Sequence, residues 1–95
     1  MVLSEIVHTF SHDRVAHAAA LSLGRDFLET VEHAASHRGM PAGKFIAASV
    51  RRFETDAPEH EKFALQQAVA GSDMPLLHGL ALIVAHEIET SHRHD

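Results

Sequence analysis

Two amphipathic segments joined through a single glycine constrain this chain more than any other feature of it. From Asp26 to Arg38, the residues Phe27, Leu28, Val31, Ala34 and Ala35 recur at helical spacing. Asp26, Glu29 and Glu32 lie toward the positive end of that helix dipole. Gly39 follows where a helix closes in the left-handed conformation. Pro41 then suits the first turn of a second helix, which is predicted to run to Glu54 with Phe45, Ile46, Ser49, Val50 and Phe53 on its inner face. So short a connection leaves the two helices as close neighbours.

The flanks add further helical signals. Leu3, Ile6, Val7 and Phe10 make a short amphipathic helix or an N-terminal arm over residues 1–12. Thr55 or Asp56 is placed to cap a third helix with Pro58 in its first turn, carrying Phe63, Leu65, Ala68 and Val69 before Gly71. Ser72 or Asp73 caps a fourth, with Pro75 near its start. These two form a C-terminal helical hairpin over 57–91, with a tail at 92–95. The last helix carries Leu76, Leu77, Leu80, Leu82, Ile83, Val84 and Ile88, a surface too wide for a one-sided helix, and so predicted to be covered on two sides, one of them by another chain.

The segment from Val15 to Leu23 has two readings. Alanine favours helix by propensity, and Val15, Ala19, Leu23 and Phe27 are spaced by four. Yet Ala19, Leu21 and Leu23 alternate with Ala18, Ala20 and Ser22, as in a strand, and Gly24 stands where a turn into the next helix would sit.

A strand of alternating residues, a turn, an amphipathic helix, a glycine and a second helix is a layout that resembles the ribbon-helix-helix family. The likeness covers Ala19 to Phe53 without a gap: Ala19, Leu21 and Leu23 as inward strand positions, Phe27 to Ala35 as the first core face, Gly39 between the helices, and Met40, Phe45, Ile46, Val50 and Phe53 after it. It implies a mainly α fold with a ribbon-helix-helix-like core over 13–56, formed as an intertwined homodimer. It also implies a DNA-binding transcriptional regulator, possible in an antitoxin-type arrangement whose C-terminal helices hold a protein partner. Ala18, Ala20 and Ser22 would face the bases of double-stranded DNA, while Ala42, Gly43, Lys44 and Arg25 would contact phosphate. The sequence departs from the family here, since two alanines and a serine offer only methyl contacts and one hydroxyl. The alternative is an all-α bundle with 13–38 as one long helix, acting as a protein-interaction module or oligomer that binds no DNA.

Other chemistries find less support. The chain has 95 residues and no cysteine, which excludes disulfides and thiolate metal sites. Its ten histidines bring in a third reading, a histidine-based metal sensor or carrier, with His33 and His37 one helical turn apart as the candidate ligands. His8, His12 and His17 have similar spacing. His86-Glu87-Ile88-Glu89-Thr90 begins like a zinc-protease motif but ends on threonine where a histidine is required. His78 and His86 border the most apolar helix. Phe27, Phe45, Phe53 and Phe63 read as core residues, each on an apolar face. No nucleotide-binding loop or nucleophile elbow appears, so neither enzymatic activity nor a cofactor is expected. No signal peptide or membrane-length apolar run is visible, giving a cytoplasmic expectation without membrane partners. The net charge is −5 but uneven. Basic residues outnumber acids from Asp13 to Phe53, whereas Ala57 to Asp95 holds Lys62 and Arg93 against Glu59, Glu61, Asp73, Glu87, Glu89 and Asp95.

Overall fold

The computed structural model describes residues 2–93, with side chains for 3–90, and every regular element among them is an α-helix. In chain order these are α1 (Val2–Phe10), α2 (Asp13–Leu23), α3 (Arg25–His37), α4 (Ala42–Asp56), α5 (Glu59–Val69) and α6 (Pro75–Arg93). The ribbon-helix-helix strand expected over Ala19 to Leu23 is absent, because those residues form the second half of α2. Helix propensity prevails over the alternating pattern, and a packing reason reinforces it. Ala16, Ala19 and Ala20 fall at i, i+3 and i+4, and all three are buried. An extended chain would have put Ala19 and Ala20 on opposite faces.

The long helix over 13–38 is not formed either. Gly24 sits at φ 112° and ψ 163°, a region that only glycine occupies readily, and separates α2 from α3. The joint is tight, since the Gly24 amide donates to Leu21 O while its carbonyl accepts from the Leu28 amide.

The central element is α4, which packs on α1, α2, α3 and α6. It buries Ala42, Gly43, Phe45, Ile46, Ala47, Ser49, Val50 and Phe53, an arc of about 200° at 100° per residue, twice the stripe of an ordinary surface helix. Small residues bring α2 unusually close on one side of this arc. Gly43 lies against the Asp13 backbone and the His17 side chain, leaving no room for a Cβ. Ser49 is buried among apolar groups and satisfies its hydroxyl by donating to Phe45 O at 2.8 Å.

Predicted boundaries hold where capping chemistry is strong. Gly39 has φ 67°, and the Met40 amide donates to Ala35 O while the Gly39 amide donates to Ser36 O, which closes α3 in a Schellman motif. The caps expected before the last two helices do not form as such: Thr55 and Asp56 belong to α4, and Ser72 Oγ accepts from the Met74 amide, ahead of the first turn of α6. The N-terminal segment is a helix, with Leu3, Ile6 and Phe10 in the core. The wide apolar surface of α6 packs on α1, α2, α4 and α5 of the same chain, with Leu82 left exposed. Phe45 and Phe53 are buried and Phe27 half-buried, but Phe63 is 64% exposed. Leu65 and Val69 set the inner face of α5, and Phe63 stands about 200° round the helix from Leu65. No helix among the described residues is long and apolar enough to cross a membrane.

Three substitutions test these packing assignments. Gly24→Ala is expected to destabilise the protein by about 1–3 kcal/mol in urea unfolding, whereas one long helix would gain from the same change. Gly43→Ala should cost about 2–3 kcal/mol, because its Cβ meets backbone. At Gly79 an added Cβ meets only the end of the Ile6 side chain, and that alanine should cost less.

Candidate functional site

A charged cleft lies where α4, the start of α5 and the second half of α6 meet. Its organising residue is Glu87, 8% exposed. Glu87 occupies the inner stripe of α6 at i+7 from Leu80 and i+4 from Ile83, so the phase that buries those residues also buries a carboxylate. Two guanidinium groups compensate it. Arg38 Nη2, from the α3–α4 connection, and Arg52 Nη1, from α4, each donate to Glu87 Oε2 at 2.9 Å. Arg38 is further held over the Phe45 ring, 5.1 Å from its centroid. The three residues tie the end of α6 to α4 and to the loop before it.

The rest of the cleft follows the axis of α4. Beyond Arg52 come Phe53 and Ile83 on the wall, then Asp56, Ala57, Pro58 and Glu61. His86 packs edge-on against Phe53 at 5.8 Å between centroids, with Nε2 3.6 Å from Glu61 Oε2. The cleft is about half open to solvent and holds about 380 Å³, within the size range of small-molecule sites. Phe53, Glu61, Ile83 and His86 also border a second hollow of about 270 Å³ between α5 and α6. That hollow is apolar along Ala64, Leu65, Ala68 and Leu82. Two adjoining depressions, one charged and one apolar, therefore share a dividing wall.

Of the residues singled out from sequence, Phe53, His86 and Glu87 line this cleft, whereas the base-facing, phosphate-contacting and metal candidates lie elsewhere. Ala18 and Ser22 are exposed one turn apart on α2, and Ser22 Oγ donates to Ala18 O, while Ala20 is buried. In a helix, alternate residues do not share a face. Ala42, Gly43 and Lys44 border an open hollow with Arg14 and His17, but Asp13 and Glu32 line it too, and Arg25 is not on its rim. Ala42 and Gly43 are buried, so the glycine admits α2. His33 and His37 are exposed with ring centroids 4.8 Å apart. His8, His12 and His17 are exposed as well. No group of three or more potential metal ligands forms among the described residues. The His92 side chain and His94 lie outside the described residues.

The fold thus defines an all-α protein with a double depression on its α4–α5–α6 face. No protein family matches the chain, and neither does any curated protein or solved structure.

Glu87→Ala is expected to lower stability by about 1–3 kcal/mol, since two cations lose their shared acceptor but can turn toward water. Arg52→Ala should cost under about 1 kcal/mol, because its side chain is half exposed and Arg38 still compensates the carboxylate. Urea titrations of both variants check this order.

Proposed function

We propose that this chain is a helical protein-interaction module that receives a basic amphipathic helix of a partner protein in the groove between α5 and α6. The observation that carries this reading is the groove itself. Ala64 and Ala68 supply small side chains that let another backbone approach, and Leu65, Leu82, Ile83 and Phe53 supply apolar walls. Leu82 is 37% exposed on its outer edge. Helix α5 has 11 residues, so the groove offers about three turns of contact to an incoming helix.

Charge selects the occupant. Apart from Glu87, which Arg38 and Arg52 compensate, the two helices that form the groove carry Glu59, Glu61 and Glu89 against Lys62 among residues with described side chains, and Glu61 lies on the groove itself. A basic helix complements such a surface, whereas a second copy would oppose acid with acid. The lack of any strand among the described residues supports the same reading, because no extended ribbon is available to enter a DNA groove.

The test uses a fluorescein-labelled Lys/Leu amphipathic helical peptide as probe, with an equivalent Glu/Leu peptide as control, followed by anisotropy. The Lys/Leu peptide is expected to bind, and Ala68→Arg or Leu82→Lys to weaken it at least about tenfold, beyond the loss from Glu32→Gln, which makes the same one-unit change of charge at an exposed position on α3. Equal losses from the groove and α3 variants would overturn the proposal. So would concentration-dependent dimerisation that Leu82→Lys abolishes, because the groove would then belong to a second copy.

A further inference from the structure

The chain is rich in histidine, and the fold decides which of these side chains can act together. His8 and His12 share a four-residue spacing, but α1 ends at Phe10 and His12 stands in extended conformation as the N-cap of α2. They do not share a helix. His12 and His17 are five residues apart, and on α6 His86 lies two turns from His78 and packs edge-on against Phe53. His33 and His37 differ from all of these. They stand one turn apart on the uninterrupted helix α3, both exposed, with ring centroids 4.8 Å apart and 79° between the ring planes. Among the described residues, only this helix sets two imidazoles side by side. With metal–nitrogen bonds of about 2.0–2.1 Å, two imidazoles on one ion hold their centroids roughly 4.5 Å apart at a right angle and roughly 5.2 Å apart at the tetrahedral angle. The observed separation lies between those limits. Charge favours the same place. His37 is the last residue of α3, where unpaired carbonyl groups carry partial negative charge, and Glu29 is exposed one turn before His33. The neighbouring cation, Arg38, is turned to Glu87 and the Phe45 ring.

We propose that His33 and His37 chelate one divalent late transition-metal ion across the last turn of α3, copper(II) more tightly than zinc(II). Imidazole nitrogen suits these ions, whereas magnesium and calcium require oxygen ligands. Both side chains are exposed, so their nitrogens turn to a common ion without disturbing the core. Glu29 contributes charge and stays outside the ligand set, since no group of three or more potential ligands forms among the described residues. Two protein ligands leave the other coordination positions to water. The site is therefore of the open, exchangeable kind and not a closed structural one.

The experiment titrates the full chain with copper(II), zinc(II) and magnesium chlorides by calorimetry, and maps zinc by amide shifts in ¹H–¹⁵N spectra. The tightest site is expected to take one ion per chain, to prefer copper(II) over zinc(II), and to ignore magnesium. Zinc shifts should centre on His33 and His37. His33→Ala and His37→Ala should each weaken this site at least about tenfold, and the double variant should bind no more weakly than either single one, because half a chelate is one ordinary imidazole. Both positions are exposed, and circular dichroism verifies that the variants remain folded. His92→Ala combined with His94→Ala should leave the affinity unchanged. A loss below tenfold in either α3 variant, a double variant much weaker than both singles, or a comparable loss in the tail variant would overturn the assignment. So would zinc shifts centred elsewhere, copper(II) no tighter than zinc(II), or magnesium bound as well as zinc. None of these outcomes bears on the α5–α6 groove, whose test uses a different probe and different residues.

Discussion

The close approach of α2 to α4 is the contact on which the other helices depend. It exists because Gly43 lacks a side chain where α4 meets the Asp13 backbone and because α2 presents Ala16, Ala19 and Ala20 toward the core. With α2 drawn in, one side of α4 is sealed by small residues, and the larger ones are left for the other neighbours. Phe45, Ile46, Val50 and Phe53 complete the core with α1, α3 and α6. Each large apolar side chain buried there is worth about 1.5–3 kcal/mol, so a modest chain draws much of its stability from one helix buried over more than half its circumference. The charged cleft depends on the same arrangement, since α4 fixes where Arg52 and Asp56 stand.

What could be read in advance depended on how many physical signals agreed. For α3, Gly39 and α4, periodicity, dipole charge and a left-handed glycine all pointed one way, and the structure follows them. For α2 the signals conflicted. Alanine fits a two-residue alternation and a 3.6-residue period equally well, so the pattern was silent and only propensity discriminated. The gapless agreement with a strand-containing layout outweighed that propensity, although a backbone glycine between two helices satisfies the same template. Phe63 illustrates a different difficulty. With few apolar residues in α5, its sequence groups Phe63 with Leu65, Ala68 and Val69, but only Leu65 and Val69 are buried.

The cleft was partly legible. Glu87 repeats the spacing of Leu80 and Ile83, and an acid in phase with a buried stripe must find a cation or lose its charge. That signal is present in the sequence itself. Its partners were beyond reach of any local pattern, because Arg38 and Arg52 lie 49 and 35 residues away along the chain.

The notch at Gly79 receives the end of the Ile6 side chain, so the first helix rests on the last. Helical proteins usually assemble from neighbours in sequence and fold quickly for that reason. Here α1 settles on α2 and α4 as well as on α6, and the last of these contacts closes a loop that runs from Ile6 to Gly79. The core face of α1 therefore gains cover from its nearer neighbours first, and its seat on α6 is the contact that carries the largest loop-closure cost.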